Sequence, residues 1–180
     1  MAQFKTFAPG VNVNGETVLS VVAGMGGFKN QALKILAGKG IIDPQPGKWY
    51  SQQAWLDSFK EIADSIGQKV LFEIGKKIPE NAQWPPEIDA IEKALASIDV
   101  AYHMNHKGGE IGHYNYKQTG EKSGAMVCQN PYPCEFDRGI VTSVARKFKP
   151  ASSTIVTVKH DDAAPCRNKG ADSCTYYITW

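Results

Sequence analysis

The chain has 180 residues, a formal net charge of +2 at pH 7 and 42% hydrophobic residues. A chain of this length can bury a core of its own, and the composition is ordinary for a globular protein. Because 20 basic residues are balanced by 18 acidic ones, no nucleic-acid-binding surface is predicted. No apolar run approaches the roughly 20 residues that span a bilayer, so no membrane span is predicted.

The first part of the chain, residues 1–107, is predicted to be a mainly helical layer. After an irregular arm or edge strand at residues 1–16, apolar residues recur at helical spacing, and Ser51 is expected to cap one of the helices. Pro79 is expected to end a later helix. The prolines of the segment 84–86 are expected to open the next helix, which runs on through Tyr102.

The second part, residues 108–180, changes to the period of β-strands. Short strands near residues 111–116 and 124–128 are followed by a helix, and further strands are expected at 153–159 and 173–180. Helices therefore come first and a ββ-α-ββ order follows. This segregation predicts a single α+β domain, residues 1–180, with N-terminal helices packed on a small antiparallel sheet.

All four cysteines lie in the last third of the chain. Cys128 and Cys134 flank one turn, and Cys166 and Cys174 flank another. The N-terminus lacks the apolar core of a signal peptide, so we expect a cytoplasmic, reducing location. There, paired cysteines are more typical of metal ligands than of disulfides, and thiolates suit tetrahedral zinc. We therefore predict that residues 108–180 form a metal-binding unit with structural zinc; unrelated free thiols and a disulfide are the alternatives.

Histidines cluster just before the strands, in the segment 102–114. They are interpreted as polar residues of a helix end and loop, as hydrogen-bonding groups of a ligand pocket, or as metal or haem ligands. Because apolar ligand pockets are commonly lined by aromatic side chains, aromatic residues near the histidines are also candidates for ligand binding. The candidate ligand-binding residues are His113, His106, His103, Tyr102 and Trp84. His160 is expected in a solvated turn, and Asp162 is the alternative fourth metal ligand if Cys128 is not used.

The cysteine pattern resembles the 4-vinyl reductase-type (4VR) small-molecule-binding domain, which also occurs in the sensory modules of aromatic-responsive transcription activators. The matching residues are Cys134, Gly139, Cys166, Gly170 and Cys174. The resemblance implies zinc held by the three cysteines, a largely apolar pocket beside it, and a homodimer. An acidic residue completes the site in the activators, but Ala163 stands at that position, so Cys128 is assigned instead.

The architecture is also similar to that of haem-based gas sensors, although their Tyr-x-Ser-x-Arg signature is absent. No motif of a catalytic site is present, so no catalytic residue is assigned and an enzyme is the less favoured interpretation. The sequence predicts a zinc-stabilised, hydrocarbon-binding sensor domain for a small apolar or aromatic molecule, acting through a partner or as a dimer. The alternatives are a metal-dependent enzyme with an open three-cysteine site, and a haem-based gas sensor using a histidine of residues 103–113.

Overall fold

The computed structural model describes residues 3–180, which contain six α-helices and seven β-strands. The helices are α1 (Gly15–Gly24), α2 (Lys29–Gly38), α3 (Gln52–Ile66), α4 (Lys69–Asn81), α5 (Ile91–Met104) and α6 (Cys134–Lys147). The strands are β1 (Asn12–Asn14), β2 (Trp49–Ser51), β3 (His106–Lys107), β4 (His113–Gly120), β5 (Ser123–Gln129), β6 (Thr157–His160) and β7 (Cys174–Thr179). Short 3-10 helices lie at Gly26–Phe28 and Arg167–Lys169.

The main sheet has four antiparallel strands in the order β4-β5-β7-β6. Helix α6 connects β5 to β6, so the chain follows the expected ββ-α-ββ order and the predicted α+β fold class is confirmed. In the register of the sheet, Cys128 lies opposite both Tyr114 and Cys174, and His160 lies opposite Tyr176. The sheet therefore brings residues from distant parts of the sequence to one region.

Helices α4 and α6 approach closely because each has a glycine at the crossing. A Cβ atom added at Gly75 would lie 2.1 Å from the carbonyl oxygen of Phe136, and one added at Gly139 would lie 2.3 Å from that of Phe72. Real Cβ atoms do not come so near to a backbone oxygen, so the two backbones can pack this tightly only without side chains there. The contact fixes the middle of α4 beside the first half of α6.

A second, smaller sheet was missed by the sequence analysis. Strand β1 lies between β2 and β3 and pairs antiparallel with both. The arm or edge strand expected at residues 1–16 therefore contains a strand, but this strand lies at the centre of its sheet and not at the edge. The first two residues of the segment lie outside the described part. Strands of two or three residues are too short to show an alternating pattern. Through β3, this sheet holds His106 just after the end of α5.

Two expected helix boundaries were wrong, and one cap is confirmed. Pro79 lies inside α4, in the last turn, where losing one backbone hydrogen bond leaves the earlier turns intact. Helix α5 begins at Ile91, after an extended Ala90, so the prolines of residues 84–86 do not open it. Ser51 caps α3 by accepting a hydrogen bond from the Ala54 amide at 3.3 Å. Within residues 3–180, no helix is long and apolar enough to cross a bilayer.

Candidate functional site

An apolar cavity of about 110 Å³ lies between α4, α5 and α6. Its inner part is walled by buried side chains, and the exposed Ala82 and Ala101 lie at its opening. No charged side chain lines it among the residues that the structure describes. The inner wall includes Ile98, Tyr102, His106, Phe136, Ile140 and Val144.

The polar end of the cavity is a hydrogen-bonded pair, His106 and Tyr132. The imidazole Nδ1 of His106 lies 2.8 Å from the Tyr102 carbonyl oxygen, so Nδ1 carries the proton and donates. Nε2 then accepts a hydrogen bond from the Tyr132 hydroxyl at 2.7 Å. Burial lowers the pKa of His106 to about 4, so the ring is neutral at pH 7. The cavity thus offers a neutral polar end.

Trp84 forms part of the wall and is held rigidly. Its indole Nε1 donates to the Pro79 carbonyl oxygen at 3.1 Å, and its ring meets the edge of Phe148 with 4.7 Å between centroids. The structure therefore brings three of the predicted ligand-binding residues, Trp84, Tyr102 and His106, to one cavity.

The other two candidate histidines lie on the surface beside α5. The rings of His103 and His113 are 5.0 Å apart, and both approach Asp99. Position 103 follows the inward-facing Tyr102 on the helix, and position 113 precedes the inward-facing Tyr114 on β4, so both side chains face outward. They do not line the cavity. With Asp99 they form a group whose ligand atoms lie within 4.8 Å of one another.

A separate cluster of thiols lies on the other side of α6. The Sγ atom of Cys134 is 3.1 Å from that of Cys174 and 3.7 Å from that of Cys166. His160 completes a group whose ligand atoms lie within 4.8 Å of one another and which could hold a metal ion. Asp162 accepts a hydrogen bond from Nδ1 of His160 at 2.9 Å, so it orients the ring.

His160 was not predicted as a metal ligand, because an isolated histidine beside two aspartates is typical of a solvated turn. The register of β6 against β7 brings it into the cluster, and the alternation of the strand is the signal that could have found it. Cys128, in contrast, is not part of the cluster, although it lies opposite Cys174 in the sheet. Burial raises the pKa of the Cys128 thiol, which favours the neutral form. The structure therefore does not unite the four predicted cysteines.

Between cavity and thiol cluster lies a buried polar network. The Tyr114 hydroxyl, at the cavity, donates to Asp137 at 2.5 Å, and Asp137 pairs with Arg167. The backbone amide and Nε of Arg167 donate to Sγ of Cys174 at 3.3 and 3.4 Å. The hydrogen bond from Cys134 and the Arg167 guanidinium both lower the pKa of Cys174. Asp137 and Arg167 had no distinguishing signal in the sequence, because charged residues on a helix or turn are ordinarily exposed.

No family model matches the sequence, and no curated protein does either. Solved structures of the same shape are found, however. One is an H-NOX protein from S. oneidensis in the Fe(II)NO ligation state, 15% identical, with 92% of this chain and 97% of that chain covered and a TM-score of 0.68. The chain has the H-NOX fold. An H-NOX protein of T. Tengcongensis is also similar, at 13% identity, 91% and 94% coverage and a TM-score of 0.65.

Another solved structure of the same shape corrects the cofactor prediction. It is described as work on haem redox potential and porphyrin distortion, and it is 16% identical over 93% of this chain and 99% of that one, with a TM-score of 0.64. The cofactor named for proteins of this fold is haem, so the prediction of structural zinc was wrong. The 4VR resemblance is not confirmed, whereas the similarity to haem-based gas sensors is confirmed at the level of the fold.

The residues around the cavity do not fit a haem as they stand. At about 110 Å³ the cavity is smaller than the ~150 Å³ that hold one benzene, and a porphyrin is several times larger. Among the described lining residues there is no cation to pair with the propionates. His106 is the cavity's histidine, but its Nε2 is occupied by Tyr132 and its Nδ1 by the Tyr102 carbonyl.

Proposed function

We propose that this chain is a sensor domain that binds a small molecule or gas in the cavity between α4, α5 and α6. The observation that carries the proposal is the cavity itself, with apolar walls, a neutral polar end and an opening to the surface. A ligand there would contact α4, α5 and α6 at once. It could therefore bias how the helices pack, which is what a sensor requires.

The H-NOX fold favours a gas over a large aromatic molecule as the ligand class, because an H-NOX protein of this shape carries the Fe(II)NO state. The same comparison supports haem-based gas sensing, the alternative raised from the sequence, more than the zinc-stabilised version. His106 is the residue of the segment 103–113 that would be tested as the iron ligand, since it alone among the three histidines lines the cavity. For it to bind iron, the Tyr132 hydrogen bond would have to be given up.

Several predictions made from the sequence are not tested by the structure or by the comparisons. The metal site predicted at Cys128, Cys134, Cys166 and Cys174 stays a prediction, and we propose His160 in place of Cys128 because it lies beside the other three thiols. The homodimer, the partner protein and the cytoplasmic location also stay predictions. A binding role is preferred to catalysis because no charged group lines the cavity and burial favours the neutral forms of both members of the Tyr132–His106 pair, lowering the pKa of His106 and raising the pKa of Tyr132.

Methyl-selective NMR tests the proposal. On addition of nitric oxide, carbon monoxide, benzene or haem, we expect shifts at the cavity methyls of Ile98, Ile140 and Val144. The matched control is Ile62 of α3, which is buried but does not line the cavity. If every probe leaves the cavity methyls unchanged, or shifts Ile62 as much, the proposed function is wrong.

A further inference from the structure

We propose that the cavity binds, without haem, a single uncharged apolar molecule no larger than a benzene ring. This inference rests on the proposed function and specifies its ligand. The proposed ligand differs from haem, the cofactor named for a comparison structure, because the residues around this cavity do not fit haem.

The size limit follows from volume. A cavity of ~150 Å³ lined by apolar side chains admits benzene or xenon, which corresponds to a ligand of about six heavy atoms. The cavity here is about 110 Å³ and opens to the surface at Ala82 and Ala101, so a gas or a xenon atom fits inside it, and benzene, reaching into the opening, is the largest ligand it admits. Two of the helices around the cavity, α4 and α6, are held together by the close approach at Gly75 and Gly139.

The charge limit follows from the lining. No charged side chain lines the cavity within residues 3–180, and a buried charge without a partner is strongly unfavourable. Asp137, which accepts a hydrogen bond from the cavity-lining Tyr114, is already paired with Arg167. His106 has both ring nitrogens engaged, one as donor and one as acceptor. A charged ligand would therefore meet no counter-ion.

The walls are built to keep the cavity open. The Trp84 ring is held by its hydrogen bond to Pro79 and by Phe148. On α6, the centroid of the Phe136 ring lies 5.2 Å from that of Tyr132 and 4.9 Å from that of Phe59. Aromatic rings locked in this way cannot collapse into the space, so the ligand enters a pre-formed site.

The opening gives a direct way to test occupancy. Ala101 lies at the opening and is exposed, so a larger side chain there can close the entrance without disturbing the core. Val100, its neighbour on α5, is 61% exposed and does not line the cavity. Ala101→Trp and Val100→Trp therefore make a matched pair that differs in access to the cavity.

The experiment measures benzene binding by calorimetry and xenon binding by ¹²⁹Xe NMR for the wild type and both variants. Wild type and Val100→Trp should bind both probes, and Ala101→Trp should bind them at least tenfold more weakly. Thermal unfolding of each variant verifies that it folds. Val144→Phe, which fills the inner part, provides a second variant and should weaken binding in the same way.

Three results would overturn the inference, and they are distinguishable. Equal benzene binding by the wild type and by both cavity variants places the ligand elsewhere. A Soret band after haem reconstitution that is lost in His106→Ala shows that the site is a haem site; the proposed sensor function then stands and the inference fails. If neither xenon, benzene nor haem binds to the folded wild type, both the inference and the proposed function are wrong.

Discussion

Asp137 and Arg167 form an ion pair that is closed to water, with side chains only 0% and 1% exposed. Asp137 also accepts hydrogen bonds from Tyr114 and Asn130, and Arg167 donates to the Asn130 carbonyl oxygen at 2.6 Å. Burial raises the pKa of Asp137, and the Arg167 guanidinium opposes this effect. The pair fixes the start of α6 to the loop before β7, between the cavity and the thiol cluster.

Replacing one partner of this ion pair should lower the free energy of unfolding more than replacing both. Arg167→Met leaves a buried carboxylate without its cation, and such changes cost roughly 3–5 kcal/mol in the free energy of unfolding. The double variant Arg167→Met/Asp137→Leu should be less destabilised, because no uncompensated charge remains. Urea unfolding of the two variants measures the difference. A double variant less stable than the single one contradicts this account.

The free energy of unfolding should decrease as the pH is lowered through the range between the two pKa values of His106. Its pKa is about 4 in the folded chain and 6.5 in the reference state, so the unfolded chain takes up the proton first. The contribution of neutral His106 to the free energy of unfolding is complete above pH 6.5 and is lost progressively as the pH falls to about 4. The total loss is roughly 3 kcal/mol, and below about pH 4 it does not increase further.

Unfolding free energies between pH 4 and 7 provide the measurement. His106→Gln should flatten the slope in this range, whereas His103→Gln, at an exposed position, should leave it unchanged. A wild-type slope that persists in His106→Gln would mean that other groups cause it.

The close approach of α4 and α6 should make Gly139 intolerant of any side chain. Gly139→Ala pushes a methyl group against the Phe72 carbonyl oxygen and should destabilise the protein by about 3 kcal/mol. Gly38→Ala is the matched control, because it too lies in a helix but meets nothing within 4 Å. That variant should be neutral or slightly more stable, since alanine is the better helix former. Thermal unfolding compares the two.

Metal binding should distinguish His160 from Cys128. If Cys134, Cys166, Cys174 and His160 hold an ion, His160→Ala should weaken cobalt(II) binding, and Cys128→Ser should not. Cobalt is a suitable probe because its thiolate complexes absorb visible light. The opposite result, with Cys128→Ser as the weaker binder, would restore the four-cysteine set predicted from the sequence.

The sequence was sufficient for the fold class and for much of the site's neighbourhood. Helical spacing before residue 107 and strand patterns after it predicted the α+β order, because these periods follow from local backbone geometry. Aromatic and histidine content near Tyr102 indicated a pocket, and Trp84, Tyr102 and His106 do line one. The small sheet of β1, β2 and β3 could not be predicted in this way, because its strands are short and pair residues far apart in the chain.

What the sequence could not decide was which polar residues meet. Cys128 and His160 each lie on a strand, and only the register of the sheet brings His160 to the thiols and leaves Cys128 outside. His103 and His106 are three residues apart, yet one faces water and the other the cavity, because α5 ends between them. The cavity's size depends on how closely α4 and α6 approach. Local patterns set the elements, but distances between them depend on packing, which no short stretch of the sequence encodes.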